Sequence, residues 1–334
     1  MNGEPYGAYL RAQGISDPER NARLSVVASF TGWLAACRMQ PETLCKDDFH
    51  RYIDMLAEKG CNTMENLEFL CEYLLWAGLR KQYIALVEIT DCYNGMQKLA
   101  EAIEKKHGAE LRRKIFAEPF PPLGADEAAR CAYTQLVTGR MKALLSVEDA
   151  REAWYQVQHG IPETSWQAHD AQEKETYAPV TSIDEFLRKK QMDRCAKLHK
   201  MREQDTLWFT MELTDEVLAF VTGEAHMQWG SHNGKQGIVI TKVPYRPAQY
   251  LHAENDTMKR YYACHCPLVR EAILRGESVS GDVCYCSLGH ASHFLAGLNV
   301  PLKGEVLQSA VMGDDRCRFI FYLPDDFAGP RPYG

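Results

Sequence analysis

Late in the chain Cys-x-Cys occurs twice. Cys264 and Cys266 stand in "YYACHCPLVREAI" (residues 261–273), and Cys284 and Cys286 in "GDVCYCSLGHASHFL" (residues 281–295). A thiolate is both a nucleophile and a ligand for soft metals. One chemistry is therefore metal binding, with two to four ligands from Cys264, Cys266, Cys284 and Cys286 and with His265, His290 or Cys317 in reserve. Zinc suits thiolate and imidazole donors. A second is nucleophilic catalysis, in which Cys266 or Cys286 attacks, a nearby histidine such as His290 acts as base, and backbone N–H groups hold the oxyanion. A third is plain packing, with buried thiols lining a core or an apolar ligand site. The residues alone leave all three open.

Both motifs run from a β-like stretch into a helix-like one. In a strand, residues i and i+2 face the same side, so each cysteine pair is expected to share a face. Pro267 suits a first helical position, which makes Cys266 an N-cap. Ser287 is a good N-cap for the second helix and leaves Cys286 one residue outside it. Helix starts offer unpaired N–H groups and a partial positive charge, which favour thiolates and anions. Arg270 follows Cys266 by four residues and adds positive charge, while His290 and His293 are neighbours on one helix surface. The expectation is a small electropositive pocket for an anionic or partly apolar molecule, with Cys264, His265, Arg270, Ser287 and His293 as its contacts.

The surrounding elements read as α+β, an N-terminal helical bundle followed by a domain with a mainly antiparallel sheet. "QGIVITKVPY" (236–245), "KRYYACHC" (259–266) and "DVCYC" (282–286) are β-like. Short helices are expected at 267–275 and about 288–297, and "GEVLQSAVM" and "CRFIFYL" form a hairpin across Gly313-Asp314-Asp315. Toward the N-terminus, Ser16, Asp17 and Pro18 open a helix, and a second covers about 46–59 and stops at Gly60. A third opens at Asn62 with Glu65 and ends at Gly78, and a fourth covers about 91–106. Pro119, Pro121 and Pro122 in residues 116–129 mark a boundary, giving a bundle at 1–108, a linker at 109–124 and the α+β domain at 125–334. Helices follow at about 126–145 and 147–159, and Ser182 with Glu185 opens another that runs to about 203. Residues 161–181 are polar and aperiodic and read as a loop.

"CHCP", "CYCSLG" and "GDDRCRF" occur in this order ahead of a final β-run. Over residues 182–324 the pattern resembles the superfamily of 4-vinyl reductase-like (hydrocarbon-binding) sensor domains and aminothiazoline carboxylate hydrolases. It is closest to uncharacterised bacterial proteins with a CHCP…CxCS…GDxxCxF signature. The resemblance implies a ligand held between helices and sheet, and a homodimer. In the sensor domains a Glu-x-x-Cys and the hairpin cysteine hold zinc; the matching positions here are Val306, Ser309 and Cys317. With two donors replaced, zinc would have to use the Cys-x-Cys residues and would then stabilise an interaction module. From the hydrolases, the cysteine before proline matches Cys266, which implies hydrolysis of a small amide, thioester or thiazoline. The N-terminal "DDFHRYIDMLAEKGCNTMENLEFLCEYLLWAG" is similar in pattern to the helical core-binding domain of tyrosine recombinases. That family's paired arginines and tyrosine nucleophile are not recognisable downstream, so a docking or scaffolding role is expected.

The bulk properties narrow the partners. The 334 residues are 46% hydrophobic and 25% charged, as in a soluble two-domain protein. A net charge of −7 gives no broad electrostatic case for nucleic acid or an anionic membrane. Lys189 and Lys190 read as a solvated helix face. No stretch approaches the ~18 apolar residues of a membrane span, and "MNGEPYGAYLRAQG" lacks the pattern of a signal peptide. The expected compartment is the cytoplasm, where thiols stay reduced. Most of Cys37, Cys45, Cys61, Cys71, Cys92, Cys131, Cys195 and Cys317 are then expected to be small buried hydrophobes. His226, His232 and His252 read as surface histidines.

Overall fold

A computed structural model describes residues 3–157, 163–224, 227, 230–233, 237–325 and 327. The chain forms two compact units: Met1–Tyr93 with Pro121–Ala129, and Asn94–Phe120 with Arg130–Gly334. The architecture is α+β, with helices dominating and one small antiparallel sheet late in the chain. Among the described residues no helix is long and apolar enough to cross a membrane.

The first unit is helical: α1 (Gly3–Ala12), α2 (Asp17–Cys37), α3 (Lys46–Glu58), α4 (Met64–Trp76) and α5 (Arg80–Thr90). Each helix contributes one apolar stripe to a shared core around Phe30, Phe49, Tyr52, Leu67 and Leu70. Helix α5 falls between the expected helices, where Gly78 hides it by ending α4 two residues earlier. Thr63, not Asn62, caps α4 by accepting from the Asn66 N–H at 3.3 Å. The Asn62 side chain instead donates to the Leu123 carbonyl at 3.0 Å and ties the 121–129 segment to this unit.

The second unit begins with α6 (Gly95–His107) and α7 (Ala109–Ile115), so the expected linker at 109–124 is helical over its first half. Helices α8 (Glu127–Leu144) and α9 (Val147–Tyr155) follow, and the Ser146 hydroxyl caps α9 by accepting from the Asp149 N–H at 3.0 Å. The loop expected at 161–181 is corrected to a helix, α10 (Glu163–Tyr177), over most of its length. Its inward stripe runs through Trp166, His169, Asp170, Glu173 and Tyr177. That is helical spacing written in polar and aromatic side chains, so a search for apolar periodicity passes over it. Helix α11 (Ile183–Glu203) carries the expected Ser182 cap. Lys190 on α11 is fully buried, which corrects its reading as solvated; Lys189 is 42% exposed and pairs with Asp193 at 2.7 Å.

After α12 (Asp215–Gly223) come β1 (Ser231–His232) and β2 (Gly237–Thr241), then α13 (Pro247–Leu251), α14 (Asp256–Ala263), α15 (Arg270–Arg275) and α16 (Tyr285–Ser292). Strands β3 (Lys303–Gln308) and β4 (Arg318–Tyr322) follow. The sheet order is β1-β2-β4-β3, antiparallel throughout, with Val239 opposite Ile320 and a bulge between Val306 and Gln308. The β3–β4 hairpin is as expected. Its connection includes a 3-10 turn at Ala310–Met312 and Gly313 at φ 110°.

Two strand expectations fail. "KRYYACHC" is the end of α14 followed by an extended stretch, because the Asn255 side chain caps a helix there, accepting from the Met258 N–H at 2.9 Å. "DVCYC" is a 3-10 turn, Gly281–Cys284, running directly into α16. The adjacent tyrosines and valine that suggested strands are set by packing instead.

Candidate functional site

Helix α14 ends at Ala263, and Cys264 follows as its extended C-cap. Cys264 and Cys266 then lie two apart on extended backbone, and the 3-10 turn brings Cys284 to them. The fourth thiol is Cys317, one residue before β4, and not Cys286. Cys264, Cys266 and Cys317 all bear on the ionisation of Cys284. Burial, then the nearby Cys317 and Cys266, push the Cys264 thiol up. Burial first and the neighbouring thiols next do the same to Cys284, while burial dominates at Cys317. These three thiols therefore stay protonated at neutral pH. Cys284 Sγ and Ser309 Oγ are hydrogen-bonded at 2.9 Å, and Ser309 is fully buried.

Two cations border the thiols. Arg270 is 1% exposed, its guanidinium 4.9 Å from the Tyr245 ring centroid and 5.0 Å from that of Tyr261. Lys242, just beyond β2, donates to the Ser287 hydroxyl at 3.0 Å. Ser287 is the third residue of α16 and not its cap, and α15 starts at Arg270, so Cys266 is not an N-cap either. The carbonyl of Cys266 still accepts from the Arg270 N–H at 2.9 Å and fixes the turn that aims this arginine. His265 Nε2 donates to the Val243 carbonyl at 2.6 Å. Burial, with Lys242 and Arg270 close by, holds the imidazole well below its usual range. His265 is therefore neutral, with its proton on Nε2. Asn255→Ala should loosen this arrangement by removing the α14 cap. We expect a loss of about 1 kcal/mol in a denaturant melt.

Cys284 and Cys286 do not share a face, because in a helix two residues turn about 200°. Cys286 is buried and donates to the Val157 carbonyl at 2.8 Å, beyond the end of α9. It begins a stripe with His290 and His293, four and seven residues on. Both histidines meet Trp166 of α10: His290 edge-on with centroids 5.6 Å apart, His293 stacked at 4.1 Å and 10°. Asp170 accepts from His293 Nδ1, its oxygens at 2.8 and 2.9 Å. His169 packs edge-on to Trp166 at 5.6 Å and lies 3.4 Å from Asp170; burial holds its ionisation below the usual range despite that carboxylate. Helix α16 thus divides the expected single site in two, with Cys284 and Ser287 on one face and Cys286, His290 and His293 on the other.

Trp166, Asp170 and Lys242 are not among the residues the sequence points to, and Ser309 enters there only as the position where the sensor-domain resemblance lacks its cysteine. The period of α10 holds a signal for Trp166 and Asp170; Lys242 carries none, since only the fold brings it in. His232 and His252 are exposed as expected, and His226 lies outside the described residues. Of the scattered cysteines Cys92, Cys131 and Cys317 are buried, whereas Cys37, Cys45 and Cys61 are exposed, which corrects their reading as mostly buried. Among the described residues no three Cys, His, Asp or Glu side chains are placed to hold a metal ion. No protein-family model, curated protein or solved structure matches this chain.

Proposed function

We propose that the Cys264, Cys266, Cys284 and Cys317 face binds a small anionic molecule. The observation that carries this reading is that Lys242 and Arg270 both lie close to His265, with Ser287 held by Lys242. Two cations beside the protonated thiols of Cys264, Cys284 and Cys317 and a neutral imidazole make a centre that favours negative charge and offers weak hydrogen-bond donors around it. The tyrosine faces at Arg270 supply flat apolar walls, which suits a carboxylate with a partly apolar body. The resemblance to hydrocarbon-binding sensor domains points in the same direction. A reducing, cytoplasmic setting suits the free thiols. Thiol hydrolysis has less support, because Cys286, one of its two candidate nucleophiles, is buried with its thiol donating to the Val157 carbonyl and with His290 turned to the Trp166 ring. A zinc-stabilised module would require the thiols to close on an ion.

The test is a thermal-shift series on the full chain with acetate, benzoate, succinate and phosphate. A ligand at a hundred times its Kd stabilises by about 2.7 kcal/mol, on the order of 5–10 °C for a unit of this size. Lys242→Gln should melt like wild type without ligand and lose most of the response. A flat response to all four anions, or an undiminished one in Lys242→Gln, would remove the reading. Melting tens of degrees earlier with chelator would replace it with the zinc module.

A further inference from the structure

The opposite face of α16 carries a second cluster that the anion site does not use. His293 Nδ1 is fixed on Asp170, and since a carboxylate accepts, Nδ1 bears a proton, which in the neutral imidazole leaves the lone pair on Nε2. That Nε2 is buried and has no hydrogen-bond partner among the described residues. Trp166, 6% exposed and stacked on the same imidazole, has a buried indole N–H that is also without a partner. One acceptor and one donor thus stand unsatisfied on two stacked rings. Buried polar groups are rarely left so, and each costs free energy until something bonds to it.

We propose that the Trp166–His293 pair is a second binding site, for a small molecule carrying an alcohol or phenol hydroxyl. A hydroxyl has the chemistry for both: an O–H that donates to His293 Nε2 and an oxygen that accepts from Trp166 Nε1. An anion would satisfy the indole but not the lone pair, and an ammonium the reverse. Phe294, whose ring is 6.2 Å from that of His169, and Trp166 itself provide apolar surface for the body of the molecule. Asp170 acts as a positioning residue, fixing the imidazole tautomer through Nδ1. The site is independent of Lys242 and Arg270, so it can fail while the anion site stands.

The experiment is nuclear magnetic resonance on the full chain with 15N-labelled tryptophan and histidine, titrated with phenol. Trp166 is assigned by its loss in Trp166→Phe. The expected result is a saturable shift of the Trp166 indole N–H together with a shift of the His293 Nε2 nitrogen, both unchanged in Lys242→Gln. His293→Phe keeps a ring against Trp166 but removes the acceptor. It should weaken phenol binding about tenfold, the equivalent of one hydrogen bond. If that variant does not fold, the Nε2 shift in wild type decides alone. No shift at either nitrogen, or a Trp166 resonance that contacts only a trapped water while phenol is present, overturns the proposal and leaves a hydrated structural pair.

Discussion

Gly289→Ala lowers the melting temperature by about 4–8 °C. Helix propensity alone points the other way, since alanine in a helix interior is favoured over glycine by about 1 kcal/mol. The added Cβ, however, would lie 2.2 Å from the carbonyl oxygen of Tyr155 and 3.2 Å from its carbonyl carbon, at the end of α9. Both are backbone atoms, so no side chain can swing aside. Helix α16 has to move away from α9, and overpacking of this kind costs up to about 3 kcal/mol or more. For a unit of this size each kcal/mol is worth about 2–4 °C. The clash therefore outweighs the propensity gain. Because α16 carries Ser287 on one face and His293 on the other, the variant should also lose the benzoate and phenol responses together. A melt within a degree or two of wild type would show that α16 and α9 do not approach as closely as described.

Glu173→Gln destabilises the chain by about 3–5 kcal/mol in a denaturant melt. Glu173 is the ion partner of Lys190, whose side chain has no exposed surface, and it also lies 3.5 Å from Arg194. Removing one partner leaves a buried charge uncompensated, which is the expensive way to break such a pair. Lys190→Met combined with Glu173→Leu should recover most of the loss, because a well-packed apolar pair often replaces a buried ion pair without penalty. A pH signature accompanies this. Burial lowers the Lys190 amine to about 8, even with Glu173 acting against it, from an ordinary 10.5. Between those values the unfolded chain holds a proton that the folded chain has lost, so stability rises with pH. Below about pH 8 both states hold it and the contribution is flat. The stability of wild type relative to Lys190→Met should therefore climb from about pH 8 to 10.5 by at most about 1.4 kcal/mol per unit. Taking the difference cancels the cysteine and tyrosine ionisations common to both. Parallel curves for the two proteins, or a silent Glu173→Gln, would contradict the buried pair.

Much of the frame could be read in advance, and the reasons are local. Ser146 and Ser182 announce their helices because a hydroxyl three residues before a free N–H is a short-range signal. The β3–β4 hairpin is also carried by neighbours in sequence. Cys264 and Cys266 are two residues apart, and both come up to Cys284. The failures share a different cause. Lys242 and Ser287 are 45 residues apart, and His293 and Asp170 are 123 apart, so no local pattern links them. Cys286 went to the wrong side because strand and helix send i+2 in opposite directions, and the tyrosines of α14 and the valine before Cys284 suggested strand. Lys190 looked solvated because a lysine pair beside acidic residues is ordinary on a surface, and only the tertiary fold shows that Glu173 comes to meet it.

The sheet has a bearing on how copies of this chain can meet. An open sheet recruits a foreign strand wherever its border offers a long, regular row of unpaired backbone groups. Here one border, β1, is two residues long. The other, β3, is broken by the bulge between Val306 and Gln308 and carries Lys303 and Glu305 outward. Neither is a good template for strand addition, so fibrous stacking through this sheet is disfavoured. Copies of this chain that met here would meet through side-chain surfaces, leaving the sheet borders unjoined.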